Sequence, residues 1–165
     1  MRQVSAVEPD WSREQLQAGE WSPGKRLLAC IRRYQFYKAR SGLMATTLRR
    51  WVVLQHRFWS AVSGADIHLN CQIGGGLLLP HPNGVVIHPA AVIGPNCLIF
   101  QQVTLGTRGN TGAPVLAGHV DVGAGAKLLG GIQVGAHARI GANAVVLTDV
   151  PANGAAVGIP AMVKY

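Results

Sequence analysis

The side chains able to move a proton or hold a metal are few and unevenly spread. Five of the six histidines, at 68, 81, 88, 119 and 137, follow Gly64, and only His81 lies in an irregular stretch, Leu79-Pro80-His81-Pro82-Asn83-Gly84. An imidazole titrates near neutrality, so it can take a proton from a hydroxyl at pH 7. A catalytic metal centre would need three such rings converging around an open water position. The gaps from His68 to His119 are 13, 7 and 31 residues, which show no ligand-like spacing. Asp66 stands fifteen residues before His81. A second irregular stretch, Gly106-Thr107-Arg108-Gly109-Asn110-Thr111-Gly112-Ala113-Pro114, carries Arg108. The three cysteines, Cys30, Cys71 and Cys97, are odd in number and lack C-x-x-C spacing, which disfavours a disulfide framework or a zinc knuckle.

Around these stretches runs an internal repeat. Ile67, Ile73, Leu79 and Val85 are six apart, and after a two-residue slip so are Ile87, Ile93, Ile99 and Leu105. Beyond a longer interruption, Leu116, Val122, Leu128, Val134, Ile140 and Val146 resume the period. A small or aliphatic residue often follows four later, as at Cys71, Ala91, Cys97, Val103, Ala126 and Ala144. Neither a helix nor a flat sheet uses a period of six. A parallel β-helix with three short faces does, at eighteen residues per coil. About four coils are predicted, at 67–84, 87–104, 116–133 and 134–151, with the Pro151–Tyr165 tail covering one end. The two irregular stretches are departures from this scaffold, where function concentrates.

The chain has 165 residues, 21 of them glycine, and a formal charge of +8 with only 13% charged residues. No Asp, Glu, Lys or Arg occurs from Ile67 to Thr107, yet Asn, Gln, Pro and His interrupt this stretch too often for a membrane span. The N-terminus is polar and does not resemble a secretory signal, so a reduced, soluble, cytoplasmic protein is expected. Eight of ten aromatics precede Gly64, and residues 25–57 hold nine basic side chains and no acid. Two helices are predicted there, one from Pro23 to about Arg40 and one from about Met44 to Val62. Leu48, Trp51, Val52, Gln55, Phe58, Trp59 and Val62 form the second helix's apolar stripe, expected to pack on the repeat region with the tryptophans in the core. The division is therefore a helical region, 1–63, and a β-helix domain, 64–165, with a protruding loop at 106–115. A pI near 10.1 suggests nucleic acid, but no aromatic-basic recognition motif accompanies it. The basic helices 25–57 fit a peripheral contact with an anionic surface, or simply a solvated face.

Several blocks carry a resemblance: Asp66-Ile67-His68, His81 in a His-x-x-Gly context, Gln101-Gln102-Val103-Thr104-Leu105-Gly106, Val122 to Gly130, Ile140 to Val146, and Gly158-Ile159-Pro160-Ala161. Over about residues 48–163 the sequence resembles the serine acetyltransferases, among the hexapeptide-repeat acyltransferases with a left-handed parallel β-helix. The resemblance implies an acetyl-CoA-dependent O-acetyltransferase that works as a homotrimer. In it His81 is the general base that deprotonates the acceptor hydroxyl, and Asp66 orients and stabilises its imidazolium. Read from the residues alone, His81 also fits a surface corner and Asp66 a turn cap. The resemblance further implies that acetyl-CoA lies along a coil edge between subunits, against Gly106, Ala124 and Ala142, with Lys127, Arg139 or Lys164 near the phosphates.

The sequence also departs from that family. The family's base is preceded by an Asp and its loop carries an Arg-His pair before a Pro. Here Pro80 precedes His81, Gly112-Ala113 precede Pro114, and Arg108 is the one cation in the loop. The short helical region is more similar to that of relatives acting on sugars or polysaccharides. A neutral hydroxyl acceptor such as a saccharide is therefore expected, with L-serine as the alternative. A metal-dependent hydrolase resembling the β-helical carbonic anhydrases ranks lower, because its pair of histidines five residues apart is absent; no metal is expected.

Overall fold

Aliphatic side chains recurring every sixth residue can all point to one axis only if the backbone turns a corner after each pair of extended residues. The computed structural model, which describes residues 4–164, has this form. It is a left-handed parallel β-helix with three flat faces. The first face stacks Asp66–Ile67, Val86–Ile87, Thr104–Gly106, Lys127–Leu129 and Val145–Val146. The second stacks Gln72–Ile73, Val92–Ile93, Val115–Leu116 and Gln133–Val134, with Val150 bridged above. The third runs from Leu78 through Leu98–Ile99, Asp121–Val122 and Arg139–Ile140 to Ala155–Gly158.

Inward positions, among them Ile67, Ile99, Leu105, Val122, Leu128 and Ala144, are buried in one continuous cluster. Outward neighbours such as Gln72 and Arg139 are exposed. Residues in the left-handed region turn the corners: Gly84, Gln102, Gly125 and Asn143 at one, and Asn96, His119, His137 and Asn153 at another. A short polar side chain or glycine tolerates that conformation best.

The prism is taller than the four coils expected. The first face carries five strands, and the tail is not merely a cover. Ala155–Gly158 pairs with Arg139–Ile140 and folds back antiparallel on Ala161–Lys164. The register also measures each coil. Eighteen residues separate Val86 from Thr104 and Lys127 from Val145, but twenty separate Asp66 from Val86 and twenty-three Thr104 from Lys127. The two longer coils contain the two irregular stretches.

Two helices close the lower end, α1 at Pro23–Lys38 and α2 at Leu43–Ser63. Leu27, Leu28 and Ile31 of α1 join the β-helix core. The predicted apolar stripe of α2 divides instead of packing as a unit. Val52 is buried and Trp59 packs on the core, whereas Trp51, Phe58 and Val62 are exposed, as are Trp11 and Trp21. One helix presents only about a third of its girdle to a support, so a stripe this wide cannot all be covered by the prism's end.

An N-terminal arm clamps the corner between the second and third faces. Asn96 is fully buried there; its Oδ1 accepts from Asp10 N at 2.7 Å and its Nδ2 donates to Ser5 O and Glu8 O, both at 2.8 Å. Glu14 accepts from Gly76 N and Leu77 N and pairs with Arg32 of α1 at 2.9 Å. Arg32 in turn donates to Ile73 O and Gly74 O. Truncating Asn96 leaves two carbonyls and one N–H without partners, each worth about 1–3 kcal/mol when buried. Asn96→Ala should lower the urea midpoint with little change in slope and release the arm to proteolysis; an unchanged midpoint would contradict the clamp.

Candidate active site

The two-residue excess of the lowest full coil is spent at one place. Leu98–Ile99 reaches the next corner turn, Gln101–Gln102, through Phe100 alone, whereas Leu78–Leu79 reaches Asn83–Gly84 through Pro80-His81-Pro82. His81 is therefore extruded at the corner between the third and first faces, where it is exposed. The prolines fix φ and donate no backbone N–H, so the bulge cannot relax into the ladder. From below, Gly24 of α1 abuts it: a Cβ there would lie 2.6 Å from Leu79 O.

The same corner rises through Gln101–Gln102, Ala124–Gly125 and Ala142–Asn143. Gln102 N donates to Asn83 O, Gly125 N to Gln101 O and Asn143 N to Ala124 O. His81, Ala124 and Ala142 thus share one edge. Lys127 joins them, its ammonium donating to Gln102 O. Asp66 is exposed at the bottom of the first face, one column with Val86, Thr104, Lys127 and Val145. Among the described residues no hydrogen bond joins Asp66 to His81. Gly106 and Arg108 lie across that face, at its far edge; Arg139 and Lys164 belong to the third face and its antiparallel strand, both exposed.

At the far edge the 107–114 loop folds back on the next coil. Thr111 N and Oγ1 donate to Arg108 O, and a Cβ on Gly131 would collide with Thr111 O. Between loop and coils runs a groove of about 740 Å³ lined by Arg108, Asn110, Leu129, Gly130, Thr148 and Asp149 among others. It holds one cation and one carboxylate.

Two groups escaped the sequence reading. Gln101 Oε1 is buried without a hydrogen-bond partner at the His81 edge. A bulky amide where the higher coils place Ala124 and Ala142 was the available signal. His56 of α2 donates from Nε2 to Ile67 O at 2.8 Å, tying the helix to the strand that carries Asp66. Elsewhere His119 and His137 meet Nδ1 to Nδ1 at 2.7 Å on the clamped corner. Among the described residues no three His, Cys, Asp or Glu side chains converge as metal ligands.

The chain is similar in sequence and fold to serine acetyltransferases. The Helicobacter pylori (strain J99) enzyme is 42% identical over 143 residues, covering 84% of this chain and 80% of that one. The chain belongs to the serine acetyltransferase family. The Synechococcus elongatus member is 49% identical over 107 residues, 63% of this chain and 44% of its own. The crystal structure of the Brucella abortus member in complex with coenzyme A superposes with a TM-score of 0.73 at 33% identity, over 86% of this chain and 55% of that one. The chain thus spans about half the length of these last two family members. No protein-family model matches it.

Burial pushes the His56 imidazole below its ordinary value, against an opposing pull from its bond to Ile67 O and from Asp66; His68 adds to the depression. The unfolded chain therefore binds the extra proton first as pH falls below about 6.5. Stability is full above that pH and declines as pH drops through the folded-state value. His56→Gln keeps an N–H donor for Ile67 O but does not titrate. Urea midpoints between pH 7.5 and 5 should fall less in the variant than in the parent; parallel curves would refute the assignment.

Proposed function

We propose that the chain transfers the acetyl group of acetyl-CoA to a hydroxyl oxygen, and that L-serine is the acceptor. The observation that carries the reading is the single extruded base, His81, on the edge that Ala124 and Ala142 continue in the higher coils. The β-helix part, 64–165, is the acetyltransferase domain and the helical part, 1–63, its accessory; residues 1–3 and 165 lie outside the described residues. In this reading His81 accepts the hydroxyl proton while the serine oxygen attacks the thioester carbonyl. The C–S bond then breaks, and the coenzyme A thiolate takes the proton back from the imidazolium. Asp66 orients and stabilises that imidazolium through the bond that substrate closure brings about, since catalytic hydrogen bonds are often long before substrate binds. The donor lies along the Ala124–Ala142 edge, where small side chains leave the backbone open to the pantetheine amides. Lys127 beside Gln102 flanks this path, toward the phosphates, and Gly106, at the opposite edge, meets the donor of a neighbouring copy in the trimer proposed below.

The choice of acceptor rests on charge. A zwitterion needs a cation for its carboxylate and a carboxylate for its ammonium, and each such bond is worth about 1.5–3 kcal/mol. Arg108 and Asp149 supply one of each in the same groove, and the family members compared above act on serine by name. The saccharide acceptor expected from the sequence takes second place. The observation favouring it is Pro80, an apolar residue where the family places an acid beside the base.

His81 and the Arg108 groove occupy opposite edges of the first face, so one chain does not bring them together. A homotrimer does, with each copy's His81 edge against the next copy's loop. Heterologous contacts of this kind close into a ring.

His81→Ala should lower turnover by roughly 10²–10⁴ while acetyl-CoA still binds. Thiol release is a clean readout, because Cys30, Cys71 and Cys97 are buried and the Cys97 thiol is pushed up to about 11. L-serine should exceed a panel of neutral saccharides in kcat/KM by about 10²-fold or more; a saccharide within tenfold would favour the second reading. Mixing unfolded His81→Ala and Arg108→Ala chains and refolding them together should restore about a quarter of the parental sites. No recovery would place both residues in one chain's site and dismiss the shared one.

A further inference from the structure

The face of α2 turned away from the β-helix is apolar. Met44, Trp51, Leu54, Phe58 and Val62 follow one another at seven, three, four and four residues, which keeps them in one stripe. They are exposed, Trp51 at 59%, Leu54 at 55% and Phe58 at 58%. Ring contacts extend the stripe at one end: Phe58 meets Trp59 at 5.1 Å and Trp59 meets Trp21 at 5.9 Å, Trp21 being 71% exposed. Arg50 and Arg57, seven residues apart and exposed, run along one flank. Residues 25–57 contain no acid to neutralise them.

We infer that this stripe seats the protein on an anionic lipid surface, with α2 lying in the plane of the interface. Three occupants are conceivable for an apolar face of this size, and charge separates them. A second copy meeting the stripe symmetrically would set Arg50 and Arg57 against themselves, with no carboxylate on either helix to pair with. A nucleic acid would satisfy the arginines but gain nothing from Trp51, Leu54, Phe58 and Met44. An anionic bilayer satisfies both halves: its headgroups attract the arginines and its acyl boundary takes the aromatic and aliphatic side chains. Tryptophan and arginine are suited to that depth, one amphipathic and the other able to reach up to phosphate. No helix of the described residues is long and apolar enough to cross a membrane, so the contact is superficial. Val52 and Trp59, on the side of α2 that meets the core, are covered while the stripe beside them stays exposed, which leaves the β-helix projecting from the surface. This inference is independent of which acceptor is acetylated.

The test is flotation of the full chain with vesicles of phosphatidylcholine alone or with 30% phosphatidylglycerol (about a third anionic, enough for a strong surface potential). Binding should require the anionic lipid and fall more than tenfold in 0.5 M salt. Trp51→Ser with Phe58→Ser, and separately Arg50→Glu with Arg57→Glu, should each lower it more than tenfold, with circular dichroism and solution acetyl-transfer activity retained. Absence of binding to anionic vesicles overturns the inference. So does binding that the aromatic pair does not affect, which would be charge alone. If the aromatic variant instead dissociates an oligomer in light scattering while the parent ignores lipid, the stripe is a contact between copies and the inference falls.

Discussion

The coils of this molecule must return to the same columns of inward residues, and eighteen residues do that, the last turn, from Arg139 to Ala155, closing in sixteen. Any excess has nowhere to go but outward, because a one-residue slip would turn the core positions to solvent. The lowest full coil has two residues too many and the third has five too many. Those seven residues account for the His81 bulge and the Arg108 loop. The stacking rule that makes the prism rigid therefore also makes its reactive parts, and it fixes them on opposite edges of one face. Rigidity matters here, since proton transfer tolerates little error in the position of the base.

Stacking alone does not hold the bulge, whose two prolines give up backbone donors. The helical region supplies what is missing. Leu27, Leu28 and Ile31 plug the core beneath Ile67 and Leu79, and Gly24 lets the start of α1 press on the carbonyl before Pro80. Arg32 and Glu14 fasten that helix to the first coil through backbone groups at Ile73, Gly74, Gly76 and Leu77. Asn96 then ties the N-terminal arm to the corner between the second and third faces. The clamped corner is thus removed from the surface available to substrate or to a neighbouring copy, while the His81 corner stays open. The cations of α1 that face the β-helix serve structure; those of α2 that face away do not.

The repeat was legible because inward position and side-chain type are locked together at every sixth residue, and the two interruptions stood out against it. The height was underestimated because the last parallel strand, Ala155–Gly158, has no aliphatic mark of the period: its buried position is Ala156, and the pattern ends at Val150. The helices were legible but their burial was not. A 3.6-residue period shows that one side of α2 is apolar, yet Trp51, Phe58 and Trp59 all fit it, and only the position of the prism's end decides that Trp59 is covered. The asparagine at 96 looked like any corner residue, since its partners lie more than eighty residues away at Ser5, Glu8 and Asp10. Asp66 and His81 belong to the same coil, but a fifteen-residue spacing does not fix the direction of a side chain.

The charge-free run from Ile67 to Thr107 sets a last constraint. The lower two coils carry no charge beyond Asp66 at their base, so in the proposed serine reading the charges that meet the acceptor come from Arg108 and Asp149, higher up and across the face. With His81 and the Arg108 groove on opposite edges, the proposed reading separates proton transfer from acceptor choice in one chain, and the contact between copies in the proposed trimer rejoins them. Substitutions in the loop can then change which hydroxyl is presented without disturbing the coil that presents His81, because the loop's excess residues sit two levels above the bulge and share no backbone bond with it. In that reading, acceptor specificity is carried by the residues that stacking does not constrain.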